Sequence, residues 1–229
     1  MKIGCLSDLH LKPGDPPSKD NRLYGALVNL ASQCDHIVIG GDLLEMYTRA
    51  GGRGRHFRKI ASAYAGSFDF ISRHTDSITV IEGNHDDGCL SLIPGVVPVE
   101  HVVFDDYYFF HGHQADLYFA HRTMEKAVEK IIKVIFRLEA WTFGLTGFRV
   151  SELFARWQHR NQAGADTLGD YCLGMLNAAR PFLRGVVAGH THIKDYRLLG
   201  CGRVYVNSGT YQNGDIMILD TVTGEIRWL

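Results

Sequence analysis

The chain has 229 residues, 45% of them hydrophobic and 21% charged, a balance that suits one α/β domain with its own core and excludes disorder, collagen-like repeats and coiled coil. Lys plus Arg at 24 against Asp plus Glu at 25 gives a formal net charge of −1. A protein that tracks a long polyanion such as a nucleic-acid backbone is thereby disfavoured, and any basic surface must be local.

In chain order, Lys2 to Leu6, His36 to Ile39 and Ile78 to Ile81 are short, β-rich apolar runs bounded by turn residues and read as buried parallel strands. Between them Leu23, Ala26, Leu27 and Leu30 recur at helical spacing, as do Phe57, Ile60, Ala61, Tyr64 and Phe68, which gives a β-α-β-α-β order. The proline-bearing stretch Lys12 to Asn21 is expected as a loop. So is the glycine- and arginine-rich stretch holding Arg49, Arg53, Arg55, Arg58 and Lys59, which either closes on a phosphate group or is simply solvated. Val102 to Phe110, broken by Asp105-Asp106, reads as a hairpin. From Ala115 to about Arg160 the pattern turns helical, with Met124, Val128, Ile131, Ile132, Ile135 and Leu138 on one stripe and Val150, Leu153, Phe154 and Trp157 on a second. Strands resume at Gly185 to Ala188 and Val204 to Val206, and Ile216 to Leu219 opens a hairpin closed at Thr223-Gly224.

Five scattered cysteines without a C-x-x-C pair suggest reduced thiols. Asp8 comes too early for a signal-peptide apolar region, and no uncharged apolar run approaches the roughly 20 residues of a spanning helix. A cytoplasmic protein is expected.

The chemistry lies just beyond the strand ends, the edge of an open α/β sheet where ligands bind. Asp8-Leu9-His10 and His190-Thr191-His192 each place two metal-competent side chains two residues apart, on the same side of an extended segment. Gly41-Asp42 and Gly83-Asn84-His85 put a glycine directly before a polar residue, where the backbone can come close to a site. Singly these fragments are weak. Together they resemble the calcineurin-like metallophosphoesterase superfamily, whose pattern D-x-H, G-D-x-x-[DE], G-N-H-[DE], a solitary His and G-H-x-H is complete here as Asp8/His10, Asp42/Glu45, Asn84/His85/Asp86, His111 and His190/His192.

The resemblance implies an α/β fold with a layered β-sheet core flanked by helices, in one domain over residues 1–229 that carries a helical insertion over 116–170. It implies two divalent ions, Mn first and Fe or Zn next. Asp8, His10, Asp42 and His192 would hold one, and Asp42, Asn84, His111 and His190 the other, with Asp42 bridging. Such ions clamp a phosphoryl group and acidify a water for in-line attack. His85 resembles the family's histidine that contacts phosphate and protonates the leaving oxygen, and Glu45 the acid that orients it. His113, with Arg53 and Arg55, is a candidate substrate contact, and Asn207-Ser208-Gly209-Thr210 resembles a motif packed beneath the metals. The six histidines outside the motifs, His36, His56, His74, His101, His121 and His159, read as ordinary.

The expected substrate is a phosphodiester or a pyrophosphate. A helical insertion between His111 and His190, and Gly41-Asp42-Leu43-Leu44-Glu45, resemble the UDP-2,3-diacylglucosamine pyrophosphatase branch, although that branch usually carries Arg where this chain has His85. Residues 121–160 hold eight Lys or Arg against four Glu around the apolar loop Phe143 to Phe148. That mixture suits a lipid-linked substrate and a peripheral membrane contact. Packing of the same stripes into the core or against a second subunit is the competing expectation. A nuclease or cyclic-nucleotide phosphodiesterase is the alternative enzyme, and a non-catalytic scaffold the remote one.

Overall fold

A computed structural model describes residues 1–47, 52–115, 162–178, 182–198 and 202–229. Strands β1 (Lys2–Leu6), β2 (His36–Ile39) and β3 (Ile78–Val80) form the parallel centre of one sheet, extended by the antiparallel β9 (Met217–Asp220) and β10 (Ile226–Trp228) in the order β10-β9-β1-β2-β3. The second sheet has the order β4-β5-β6-β8-β7, built from β4 (His101–Phe104), β5 (Tyr107–Phe110), β6 (Gly185–Ala188), β7 (Lys194–Leu198) and β8 (Val204–Ser208).

Side-chain alternation sorts each strand's residues between layers. Ile3, Cys5, Val38, Tyr107, Phe109, Val187, Val204, Val206, Met217 and Leu219 fill the space between the sheets. Leu6, Ile37, Ile39, Ile78 and Val80 face helices α1 (Pro17–Gln33), α2 (Arg53–Ala63) and α3 (Ala65–Arg73). Tyr108, Phe110, Val186, Ala188 and Tyr205 face α4 (Gln162–Ala178), which meets them through Leu168, Cys172 and Leu176 at four-residue spacing. The expected layered α/β core is therefore present. Strands buried on both faces read as continuous apolar runs, which is why β1, β2 and β6 were legible.

Three expectations need correction. Helix α1 begins at Pro17 rather than after Asn21: proline is suited to the first helical turn, where an N–H would lack a partner in any case. Arg53, Arg55, Arg58 and Lys59 lie on α2 and not in a loop, because His56, Phe57 and Ile60 supply a buried face that outweighs the glycines. The single helix expected through Phe57 to Phe68 is two helices, broken at Tyr64 (φ −122°, ψ 38°). Asp20 of α1 explains the break, since its carboxylate accepts the N–H of Gly66 at 3.0 Å and of Ser67 at 2.9 Å and so caps α3 from a neighbouring helix. Arg49 and most of the helical insertion, including Phe143 to Phe148, lie outside the described residues. Helix α4, whose first residues fall within the expected insertion, packs into the core.

Among the described residues no helix is long and apolar enough to cross a membrane, and Cys5, Cys34, Cys89 and Cys172 are reduced.

Candidate metal centre

The loops after β1, β2, β3, β5 and β6 converge at one end of the two sheets. Their key residues adopt left-handed backbone: Asp8 (φ 54°), His10 (46°), Asp42 (52°), His190 (71°) and His192 (60°). This conformation disfavours a side chain with a Cβ, and its occurrence at five residues of one cluster is the mark of a functional site. Gly83 and Gly189 let the loops close. A Cβ at Gly189 would sit 2.6 Å from the Asp8 carboxylate, and one at Gly83 would collide with that of Asp42.

Three sets of donor atoms result, each with its atoms within 4.8 Å of one another: Asp8, His10 and His192; His10, Asp42 and His85; and Asp42, His111 and His190. His10 Nε2 and His192 Nε2 face each other at 3.1 Å, and His192 Nε2 lies 3.1 Å from Asp8 Oδ1. Asp42 Oδ2 stands 3.7 Å from His10 Nε2 and 3.2 Å from His111 Nε2. Asn84 Oδ1 reaches His111 Nε2 at 3.2 Å. His111 Nδ1 donates to the Gly40 carbonyl at 2.9 Å, which fixes the ring so that Nε2 points into the cluster.

Asp8, Asp42 and Glu45 are all buried, so their charges need compensation. Burial works against ionising Asp8 and Asp42, yet the adjacent His192 and His111 overcome it and hold both carboxyls below the usual range. The reciprocal effect raises His111 to about 10, burial opposing and Asp42 and Asp8 prevailing. Divalent cations would supply the same compensating positive charge, and their binding would release the protons. Imidazole nitrogens with carboxylate and amide oxygens fit Mn, Fe or Zn. Burial pushes the Cys5 thiol up to about 12, which withholds the nearby thiolate that softer metals prefer.

The family model for calcineurin-like phosphoesterases matches residues 1–194. The chain belongs to the calcineurin-like phosphoesterase family. Comparison with curated proteins returns no match. Among solved structures, the chain is similar to the phosphoesterase Yfce of E. coli (14% identity, TM-score 0.47, covering 100% of this chain and 98% of that one). It is also similar to a conserved protein from Streptococcus pneumoniae TIGR4 (15%, 0.41, 96% and 83%) and to vacuolar protein sorting 29 of Cryptosporidium parvum (14%, 0.44, 100% and 95%). At such identities and scores these likenesses carry no assignment of activity. The family is metal-dependent, and the clustered His and Asp groups of this phosphoesterase could bind metal.

His85, a member of the second donor set, has its ring Nδ1 3.2 Å from both Glu45 oxygens, and its backbone N–H donates to Asp42 Oδ1 at 2.8 Å. Burial alone would lower the His85 pKa, but the Glu45 and Asp42 carboxylates raise it to about 9. Glu45 is held well below the carboxylate range, because His85 and His10 outweigh its burial. Tyr47 packs on the His85 ring at 4.3 Å between centroids. His113 is close by, with ring centroids 5.4 Å from His111 and 6.3 Å from His190. Arg53 donates to Asp87 Oδ1 at 2.6 Å, next to the His85 loop, whereas Arg55 is an exposed residue of α2.

Of the supporting residues, His56 and Ser7 carried no sequence signal of their role, whereas Asn207 and Thr210 belong to the motif expected beneath the metals. His56, read as ordinary, is buried and donates from Nε2 to the Glu45 carbonyl at 3.0 Å. Ser7 Oγ donates to Asp8 Oδ2 at 2.6 Å. Thr210 Oγ1 donates to the Asp8 carbonyl at 2.8 Å, and Asn207 Nδ2 to that of Gly189 at 2.6 Å, which places the Asn207–Thr210 segment beneath the cluster.

Asp86 is fully buried and ties the loops after β2 and β3 together, accepting the N–H groups of Asp42 (3.0 Å), Leu44 (2.8 Å) and Gly83 (2.7 Å). Burial and the Asp42 charge push its pKa up, against those donors. Asp86→Ala would orphan three N–H groups in the interior and should destabilise the protein by at least about 3 kcal/mol, read by urea unfolding. A loss within about 0.5 kcal/mol, the range of neutral surface changes, would show that the loops hold each other without it.

Proposed function

We propose that this phosphoesterase is an active hydrolase that uses two divalent ions, Mn first among the candidates, to cleave a phosphodiester or a pyrophosphate. Asp8, His10, Asp42 and His192 would hold one ion, and Asp42, Asn84, His111 and His190 the second. The observation that carries this reading is the position of Asp42 Oδ2 between His10 Nε2 and His111 Nε2, where one carboxylate serves both donor sets. Bound there, the ions would supply Lewis-acid clamping of phosphoryl oxygens and a water acidic enough to attack near neutral pH. The chain's own contributions follow from its geometry. The Glu45 carboxylate engages His85 through Nδ1 and leaves Nε2 for the substrate, so that a protonated His85 can deliver a proton to the leaving oxygen. Glu45 is itself fixed by Tyr47 N–H at 3.1 Å, with His56 bonded to its backbone.

The finer substrate reading is a lipid-linked pyrophosphate such as a UDP-linked acyl sugar, supported by the apolar and basic composition of residues 121–160. The competing reading is a cyclic-nucleotide or nucleic-acid diester, against which the neutral net charge argues only for long polyanions. A Mn²⁺-supplemented screen over a UDP-linked acyl sugar, cyclic nucleotides, single-stranded DNA and a chromogenic diester separates them. At least about tenfold preference in kcat/KM for the acyl sugar is expected, the size of one well-placed recognition contact. The same preference for a nucleotide diester would contradict the lipid reading, and no turnover of any substrate would contradict the hydrolase itself.

A further inference from the structure

Strand β7 closes one edge of the second sheet and, among the described residues, pairs only with β8. Its sequence is Lys194-Asp195-Tyr196-Arg197-Leu198. Tyr196 and Leu198 share one face and are 52% and 69% exposed, an unusual amount of apolar surface for a sheet edge. Lys194 offers little protection against strand pairing, because its ammonium is tied to Asp215 at 3.0 Å and lies over the Trp228 ring at 5.3 Å. On the opposite face Arg197 Nε donates to Asp195 Oδ2 at 2.8 Å, and the guanidinium lies 5.8 Å from the Tyr205 ring centroid on β8. The acid and the base are thus held two residues apart along an edge that no other described strand pairs with, the guanidinium lying close to Gly169 of α4.

We propose that β7 is the surface through which two copies of this chain associate, antiparallel about a two-fold axis at Tyr196. The argument is self-complementarity. An antiparallel strand paired with its own copy sets residue 196 opposite 196, residue 195 opposite 197 and residue 194 opposite 198. Asp195 of each copy then meets Arg197 of the other, so both charges gain a cross-strand partner on the same face. On the other face the two Tyr196 rings meet, and each Lys194 stem covers a Leu198. The other sheet edges lack this property. β10 would set Arg227 against its own copy, β4 carries no acid–base pair to fix a register, and the edge of β3 is occupied by Val99, whose N–H donates to the Val80 carbonyl at 3.1 Å. A five-residue edge makes a small interface, so the dimer forms with a Kd of about micromolar or weaker.

Sedimentation of the 229-residue chain from low to several hundred micromolar tests this. Wild type is expected to pass from monomer to dimer. Asp195→Arg places like charges across the axis and Tyr196→Lys places two ammonium groups on it, so each should weaken the dimer at least about tenfold. The charge swap Asp195→Arg with Arg197→Asp should restore it. Register is read independently by Tyr196→Cys, which should crosslink to its own copy under mild oxidation, whereas Leu198→Cys, opposite Lys194, should not. A chain that stays monomeric over the whole range overturns the proposal. So does a dimer indifferent to both single substitutions, a swap that fails to restore pairing, or a Tyr196→Cys variant that does not crosslink. None of these readouts depends on catalysis.

Discussion

Asp42→Asn should bind fewer than two divalent ions per chain and lose nearly all turnover. The carboxylate is buried, with Oδ2 3.2 Å from His111 Nε2 and 3.7 Å from His10 Nε2, and Oδ1 accepting the His85 N–H at 2.8 Å. The amide keeps the shape and removes the negative charge that both donor sets share, which is the interaction that would hold two cations side by side. One NH₂ in place of an oxygen also turns an acceptor into a donor aimed at the cluster. Metal analysis and a rate measurement on the same preparation check both halves of the expectation. Full metal content with near-normal turnover would remove Asp42 from the bridging role.

His85→Gln should cost about 10²–10⁴ in kcat for a substrate with a poor leaving group and much less for a nitrophenolate, which departs without a proton. The two-substrate comparison on one variant isolates proton delivery from phosphate positioning, since a purely positioning role predicts equal losses. The pH profile gives a second check. His85 has a pKa raised by Glu45 and Asp42 to about 9, so the acid form is present below that pH and is lost as pH rises through it. Bound cations oppose protonation, so wild-type kcat on the poor substrate should fall on an alkaline limb centred no higher than about pH 9. The limb should be missing in His85→Gln. Its persistence there would assign it to another group.

The readable parts of this chain are those in which one physical requirement dominates. β1, β2 and β6 lie between layers of apolar side chains, so their sequences are continuous apolar runs with the observed limits. The cluster residues were legible because few side chains present metal-competent atoms, and Asp42, Asn84, His111 and His190 each adjoin a glycine at a strand end. β7 was missed because an edge strand with exposed Lys194, Tyr196 and Leu198 has no apolar run to betray it. The α2–α3 break was missed because its cause, Asp20, lies on another helix and 46 positions before Gly66. His56 illustrates the same limit within the site. Its importance lies in the Glu45 carbonyl that it braces from another element, and nothing in the local sequence marks such a partner.

The central claim, two ions acting together, is tested most directly by titrating the chelator-treated 229-residue chain with Mn²⁺ while recording bound metal and hydrolysis of a chromogenic diester in the same samples. No turnover without metal, with the rate appearing as the second equivalent binds and levelling at two ions per chain, is the expected result. Full turnover at one ion per chain, or turnover that survives complete removal of metal, would contradict it.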